Sequence, residues 1–302
     1  MNGKGQAMFP ERIILSRKGF DKGTGKLPSP ILPDGSMLSL PIPQYPNGVP
    51  VLGRPTSVTT HYRDLQADGA TFGEYLARQT ARRRYPITGE TIVHLDPDLR
   101  PELRPCNREV PTLLFGQDGG AQGHLRNHGV GENDLFLFYG YFKPCLPCAF
   151  PELCKGSIAI QDIPCRELHV IWGWLQVKTR HSVPAEDGSM PHEIAWATHH
   201  PHVQQPDVRN NCVYIGTETL SFRSGTPGAG VFPHYDSRLL LSDLRNPSFY
   251  EWREEELSFL STRSRQRQEH VLRAAQCGSE IKSWVGNLFD TLKQRVVKSN
   301  PP

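Results

Sequence analysis

Two long apolar runs, residues 134–142 and 168–177, constrain the fold of this chain more than any other feature. Both are rich in aromatic and β-branched side chains, which is the pattern of buried strands. A buried helix is the alternative, but the glycine inside each run argues against it. Because side chains alternate along a strand, we expect Trp172 and Trp174 to share one face, with Gly173 on the other. A glycine at that position leaves room for a flat ligand to approach the backbone.

The composition is that of a soluble globular protein, with 37% hydrophobic and 22% charged residues. The length of 302 residues suffices for one large domain or two ordinary ones. A net charge of +3 permits a nucleic-acid partner without requiring one. The sequence has neither an apolar run long enough for a membrane span nor an apolar stretch at its start, so we expect a cytoplasmic protein.

A basic segment with glycines follows the first predicted strand, residues 12–16. It contains Arg17, Lys18, Gly19 and Lys22. Exposed backbone N–H groups and cationic side chains both favour phosphate, so these four residues are candidates for substrate binding. A solvated basic loop is the alternative, because the segment matches neither the P-loop nor the dinucleotide-binding pattern.

Three carboxylates are candidates for acid–base catalysis: Asp21, Asp96 and Asp118. Asp96 follows a predicted strand, residues 91–95, and Asp118 lies in a predicted strand and turn, residues 112–120. The glycine-rich stretch after Asp118 is expected to be flexible. Asp96 has a second interpretation as a turn former, which is the usual role of an Asp-Pro pair.

A histidine cluster includes His200 and His202, which flank Pro201. Imidazoles at this spacing favour metal or substrate binding if the chain turns them inward. An ordered loop held by hydrogen bonds is the alternative.

The cysteines suggest a zinc site between the two apolar runs. A Cys-x2-Cys pair can supply two of the four ligands of a tetrahedral zinc ion. The other two thiols are not at a standard spacing, and an insertion with free thiols is the alternative. The four candidate zinc ligands are Cys145, Cys148, Cys154 and Cys165.

Two helical regions are predicted. Residues 61–85 contain Thr71 and Glu74 at capping-box spacing. Apolar side chains recur at helical intervals from Ile281 onwards, which predicts an amphipathic helix that packs on the sheet. The whole C-terminal part, residues 249–298, is predicted to be helical.

Several blocks of the chain resemble a bacterial and phage family, the third of the numbered nucleotide modification associated domains. The resemblance implies one domain over residues 12–298, with a leader at 1–11, a tail at 299–302 and an insertion at 143–166. It also adds Gln176 and Asn211 to the candidate substrate-binding residues, beside Trp172 and Trp174. The blocks are residues 13–21, 28–31, 34–35, 38–43, 94–98, 115–117, 134–142, 169–177, 200–202, 210–211, 214, 228–232 and 268–272.

The expected fold class is α+β, with a mixed or barrel-like sheet surrounded by helices. An acidic turn before the strand at 134–142 is similar to PUA-like barrels, which is an analogy at the level of fold.

Three functions agree with these observations. The first is an enzyme that acts on a nucleotide or on a base in nucleic acid, in a system that modifies DNA. The second is a non-catalytic PUA-like reader of modified bases. The third is a metal-dependent hydrolase or nuclease. A nucleotide or DNA is the expected partner, and zinc is the cofactor that the cysteines suggest.

Overall fold

The computed structural model describes residues 8–44, 59–67, 70–144, 165–246, 248, 250–253, 258–259 and 268–293. The predicted tail and most of the predicted leader and of the Cys-bearing insertion lie outside these ranges. Within the described residues, no helix is both long enough and apolar enough to cross a bilayer.

The fold class is α+β, as predicted, and its centre is a mixed sheet of eight strands. Six strands follow one another in the order β10-β1-β6-β7-β8-β5, while β2 pairs with β6 and β9 with β7. A separate short hairpin contains β3 and β4. The strands are β1 (Arg12–Arg17), β2 (Ser29–Ile31), β3 (Gln66–Ala67), β4 (Ala70–Thr71), β5 (Leu114–Gln117), β6 (Leu135–Pro144), β7 (Leu168–Ser182), β8 (Cys212–Gly216), β9 (Ala229–Val231) and β10 (Glu269–Arg273).

The two apolar runs form the antiparallel pair β6 and β7 at the middle of this sheet, as predicted. Their register shifts next to Phe138, which pairs with Gly173, whereas Tyr139 pairs with Ile171. Trp172 is therefore left without a partner on β6, as in a β-bulge. One extra residue in a strand changes which face the following side chains occupy.

The prediction that Trp172 and Trp174 share a face is therefore wrong. The ring of Trp172 lies 5.9 Å from that of Phe138. A Cβ on Gly173 would point to the same side, 3.7 Å from Phe138 Cδ2. The ring of Trp174 instead packs 5.2 Å from Phe289 of the C-terminal helix.

The two end strands of the sheet, β10 and β5, do not pair with each other through their backbones. The sheet is nevertheless strongly curled. Six strands laid flat would separate β10 from β5 by about 24 Å, at about 4.8 Å per strand. Yet Gln117 Nε2 on β5 donates a hydrogen bond of 2.5 Å to Glu269 Oε1 on β10. The two edge strands thus face each other across a side-chain contact, and this topology does not confirm the PUA-like analogy.

Four α-helices surround the sheet in the described residues. They are α1 (Phe72–Thr80), α2 (Gly119–Asn127), α3 (Pro201–Gln204) and α4 (Ala274–Asp290).

The two predicted helical regions agree with this arrangement only in part. Helix α1 is shorter than the predicted region 61–85, and the hydroxyl of Thr71 caps it by accepting from the Glu74 N–H. Helix α4 is amphipathic as predicted and buries Ile281, Val285, Leu288 and Phe289. The prediction of an entirely helical C-terminal part is wrong, because β10 is a strand.

Two stretches before and after β5 also differ from prediction. The stretch after Asp118, expected to be flexible, forms helix α2. Residues 91–95 are extended but belong to no sheet and make only isolated bridges, such as Pro43 to Val93. A small second core around Phe72 and Leu76 of α1 buries Val93 and Leu95 of this stretch. That packing fixes the segment that carries Asp96.

Candidate functional site

A cavity of about 330 Å³ lies where the chain leaves β1 and β5 and enters β10. Helix α3 and the extended segment before Asp96 complete its wall. The structure therefore brings together residues far apart in the sequence. The predicted site residues that line the cavity are Arg17, Lys18, Gly19, Asp21, Asp96, Asp118 and His202.

The backbone at Gly19 lets the basic segment turn into the cavity wall. Its φ of +87° lies in the left-handed region, which side chains other than glycine rarely adopt. A Cβ at this position would also lie 3.1 Å from the carbonyl oxygen of Leu40. Gly19 thus shapes the loop that holds Lys18.

The two oxygens of the buried Asp96 carboxylate have different surroundings. Oδ1 accepts a 2.6 Å hydrogen bond from the Gly116 N–H and lies 3.3 Å from His200 Nε2. Oδ2 lies 3.9 Å from Lys18 Nζ and 3.8 Å from His202 Nε2. Burial by itself raises the pKa of Asp96, but the hydrogen bond from His200 and the charge of Lys18 outweigh it, so the pKa is lowered. Asp96 is therefore ionised at neutral pH.

Asn211 fixes the orientation of the His202 ring. His202 Nδ1 lies 2.7 Å from Asn211 Oδ1, and Asn211 Nδ2 donates to the His202 carbonyl at 2.7 Å. Because the Asn211 Nδ2 group donates to this carbonyl, the atom that faces His202 Nδ1 is the amide oxygen, which can only accept. Nδ1 therefore carries the proton, and Nε2 keeps its lone pair. Desolvation lowers the pKa of His202, so the ring is neutral at physiological pH.

His94 is the second imidazole of the cavity, and its ring centroid lies 5.8 Å from that of His202. Burial lowers the pKa of His94 to about 3. One donor atom from each of His94, Asp96 and His202 lies within 4.8 Å of the others. These three residues are therefore able to hold a metal ion.

A buried ion network braces the turn that contains Asp96. Arg104 Nε donates to Asp98 Oδ2 at 2.8 Å, and His199 Nε2 lies 2.9 Å from the same oxygen. The Arg104 guanidinium also donates to the carbonyl of Val110 at 2.6 Å and to that of Thr112 at 2.6 Å. Because neither Asp98, Arg104 nor His199 lines the cavity, this network serves the structure and not the cavity.

A second carboxyl group lies behind the cavity wall. Glu269 Oε1 accepts from Ser16 Oγ at 3.0 Å as well as from Gln117. Burial raises the pKa of Glu269 to about 7, although the nearby charge of Lys18 lowers it. The Lys18 ammonium lies 4.5 Å from the centre of the Phe115 ring, which gives it a favourable cation–π contact.

Asp21 and Asp118 line the cavity in different ways. Asp21 Oδ1 accepts from the Gly23 N–H at 2.7 Å, and its Oδ2 lies 3.3 Å from Arg17 Nε. The Asp21 carboxylate therefore stabilises the turn that follows it and pairs with Arg17. The Asp118 side chain is half exposed and lies 3.9 Å from His202 Nδ1.

The comparisons with known proteins decide the family. Residues 12–283 match the family described as nucleotide modification associated domain 3. The chain belongs to this family. Membership confirms the resemblance read from the sequence and connects the protein with nucleotide or DNA modification systems. No match was found among curated proteins or among solved structures.

Other predicted site residues of this family member lie away from the cavity. Lys22 Nζ pairs with Glu167 Oε2 at 3.2 Å. Gln176 Nε2 donates to Asn133 Oδ1 at 2.7 Å and to Ser221 Oγ at 2.7 Å, and thus connects the middle of β7 to the turn before β6 and to the loop that contains Ser221.

Neither indole lines the 330 Å³ cavity. Trp172 lines a neighbouring space of about 20 Å³, which has room for a water molecule and not for a base. Trp174 is 3% exposed and packs under α4. Neither indole is therefore placed to stack on a ligand in the 330 Å³ cavity.

The predicted zinc site falls largely outside the described residues, which include Cys165 but not Cys145, Cys148 or Cys154. Cys165 is an exposed free thiol. His200 and Asn211 are buried beside Asp96 and His202, where they orient those two residues instead of lining the cavity.

The sequence reasoning missed His94, Gln117 and Gln268, which also line the cavity. For His94 a signal existed. His94 is only two residues before Asp96, which was already a candidate, so the two side chains are close in the chain as well as in space. Gln117 and Gln268 each lie in a block of the family resemblance, but nothing local gave them a site role, because they meet only when β5 and β10 approach each other.

Proposed function

We propose that this protein is an enzyme that acts on a nucleotide, or on a base within nucleic acid, in the 330 Å³ cavity. One observation carries the proposal: in a member of a nucleotide modification family, two cations, three carboxylates and two imidazoles face a single hollow. The hollow is within the usual size range of small-molecule sites.

In this proposal Arg17 and Lys18 bind the phosphate of the substrate. Both residues line the cavity. Arg17 pairs with Asp21, and Lys18 pairs with Asp96. Charge-assisted hydrogen bonds to phosphate oxygens are among the stronger polar contacts that proteins make. Asp96 and Asp118 are the proposed groups for proton transfer, because each lies within 4 Å of His202.

The composition of the cavity wall favours an enzyme over a non-catalytic reader. A reader of modified bases holds a flipped base between aromatic side chains. Among the described residues, the rings that line this cavity are those of His94 and His202, and no Phe, Tyr or Trp joins them. Titratable groups in a cleft are instead typical of catalytic sites.

The binding step is tested by titrating the protein with nucleoside monophosphates and with single-stranded and duplex oligonucleotides, with and without modified bases. For a nucleic-acid substrate, the logarithm of the affinity should fall with the logarithm of salt concentration, by roughly 0.9 per duplex phosphate contacted. A nucleotide substrate is expected to bind as the monophosphate more tightly than as the free nucleoside.

Two lysines of the same segment provide a matched pair of variants. Lys18→Met removes the ammonium from the cavity and keeps the length of the apolar stem. Lys22→Met removes an ammonium that pairs with Glu167 outside it. We expect weaker binding of the phosphate-containing ligand in the first variant only; equal affinity in both variants would contradict the proposed site.

A metal-dependent hydrolase or nuclease is the second candidate function. The grouping of His94, Asp96 and His202 favours it. Product formation from a phosphodiester or a nucleotide in the presence of a divalent metal, with its loss on chelation, is the result that would select this candidate.

A further inference from the structure

We propose that His94, Asp96 and His202 form a binding site for one divalent transition-metal ion on the wall of the cavity. The site goes beyond the proposed function, since it depends on the geometry of these three residues and not on which substrate the cavity accepts. It is also distinct from the cysteine site that the sequence suggested.

The hydrogen bonds around His202 select the atom that would bind the metal. Nδ1 is engaged with Asn211 Oδ1 at 2.7 Å, and Asn211 is itself held by the His202 carbonyl. The free lone pair is on Nε2, which faces Asp96. A ligand histidine whose other nitrogen is held by a fixed oxygen acceptor is the usual arrangement in protein metal sites.

The surroundings of Asp96 select Oδ2 in the same way. Oδ1 accepts a hydrogen bond from the Gly116 N–H, and His200 Nε2 lies 3.3 Å from the same oxygen. Oδ1 therefore already has a donor, whereas Oδ2 faces the cavity side of the cluster. Oδ2 lies 3.8 Å from His202 Nε2, and an ion about 2.1 Å from each atom fits between them.

His94 supplies the third ligand from the same segment as Asp96. The backbone turns tightly between them, with a 3.0 Å hydrogen bond from the Asp96 N–H to the His94 carbonyl, and a donor atom of each lies within 4.8 Å of the other. The second core holds this stretch in place through Val93 and Leu95. Two ligands therefore come from one rigid segment and the third from helix α3.

The donor set indicates the class of metal. Two imidazole nitrogens and one carboxylate oxygen suit Zn²⁺, Fe²⁺ or Co²⁺, whereas Mg²⁺ and Ca²⁺ prefer oxygen ligands alone. Three protein ligands leave at least one coordination position for water or for a substrate oxygen. That position would face the cavity, since all three residues line it.

Lys18 competes with the metal for the same carboxylate oxygen. Its ammonium lies 3.9 Å from Asp96 Oδ2, and its charge opposes that of a cation placed beside Asp96. Replacing Lys18 with Met is therefore expected to increase the affinity for the metal, while it weakens phosphate binding. Opposite effects of one substitution on two ligands separate this inference from the proposed function.

The test uses the full-length protein, freed of any affinity tag and stripped with a chelator. Zn²⁺, Co²⁺, Mn²⁺ and Mg²⁺ are titrated singly by calorimetry, without nucleotide. We expect one Zn²⁺ or Co²⁺ per chain at this site and much weaker binding of Mg²⁺. Substitution of a residue that only supports a ligand lowers metal affinity by up to roughly 100-fold. Asp96→Asn and His202→Gln remove direct ligands, so each should lower the Zn²⁺ affinity by more than that.

Two controls exclude other ligands. His128→Gln removes an imidazole outside the cavity, whose Nδ1 lies 2.9 Å from the His124 carbonyl oxygen, and should leave the affinity unchanged. A Cys145→Ser, Cys148→Ser double variant should retain the site. Loss of zinc from the cysteine variant, with retention in Asp96→Asn, would overturn the inference.

If the ligand variants do not fold, the absorption spectrum of Co²⁺ bound to the unaltered protein still tests the site, because it reports which atoms bind the ion. Nitrogen and oxygen ligation gives d–d bands without the charge-transfer absorption of a thiolate. A bound Co²⁺ ion of that kind supports the site. A spectrum that shows thiolate ligation alone, or the absence of any stoichiometric binding, overturns it. Metal binding without nucleotide binding would refute the proposed function and leave this site standing.

Discussion

Gly116 on β5 packs directly against the ring of His202 on α3. A Cβ at Gly116 would lie 2.1 Å from His202 Cδ2 and 2.4 Å from its Cγ. The same glycine donates its N–H to Asp96 Oδ1. One small residue in a buried strand therefore sets the position of two side chains of the candidate site.

Gly116→Ala is expected to displace the His202 ring. The displacement should lower the metal affinity by at least ~10-fold, as loss of a supporting contact does, and overpacking should destabilise the fold by about 1–3 kcal/mol. Metal calorimetry and urea unfolding measure the two effects. Gly120→Ala is the control, because nothing lies within 4 Å of a Cβ there and alanine favours helix α2. If Gly116→Ala kept the affinity of the unaltered protein, the packing argument would fail.

Asn211→Ala is expected to release His202 Nδ1 from its acceptor. The ring can then rotate and exchange its protonated nitrogen, so the metal affinity should fall about 10–100-fold. Circular dichroism should show a folded protein. Asn210→Gly is the control, at a partly exposed neighbour with a φ of +57° that glycine adopts without strain; it removes the contact of Asn210 Nδ2 with the Gly119 carbonyl at 3.2 Å and should change the affinity little. An equal fall in both variants would point to a general loosening of the loop.

Glu269→Gln should alter how stability depends on pH. The pKa of Glu269 is raised from 4.5 to about 7 in the folded protein, so between these values the folded state binds one proton more than the unfolded state. Its contribution to stability is complete below pH 4.5 and is lost as pH rises through about 7, a fall of about 3 kcal/mol. Glutamine has no proton to lose, and its amide oxygen can accept the bonds from Ser16 and Gln117.

Thermal unfolding of both proteins from pH 4.5 to 8 checks this expectation. The melting temperature of Glu269→Gln should rise relative to that of the unaltered protein as pH increases. Parallel curves would show that the carboxyl group ionises normally and that Glu269 is not desolvated as the structure indicates.

Arg104→Met is expected to destabilise the protein strongly. It would leave the fully buried Asp98 carboxylate with only His199 as a side-chain partner, and breaking a buried ion pair from one side costs about 3–5 kcal/mol. Urea unfolding gives the change in the free energy of unfolding. Arg245→Met serves as a comparison, since its pair with Asp243 is at the surface and should contribute little. A similar small effect in both variants would refute the bracing role of the buried network.

The amino-acid sequence by itself determined the elements whose signal is local. The pair β6 and β7 and the helix α4 were predictable because their apolar residues follow the period of a strand or a helix within one continuous stretch. The family was readable for the same reason, since its motifs are short blocks. Three site candidates also came from local patterns. Lys18 belongs to a basic loop, Asp96 to an Asp-Pro turn, and His202 to a pair of histidines that flank a proline.

Only the tertiary structure decided which of these candidates meet. The register shift beside Phe138 turned Trp172 away from the face of Trp174, and nothing in the alternation of the sequence marks that shift. Gln117 approaches Glu269 because the sheet curls, and His94 joins Asp96 and His202 because α3 folds back over β5. Gln117 and Glu269, for example, are 152 positions apart, and all of these contacts depend on packing between elements that a local pattern does not contain.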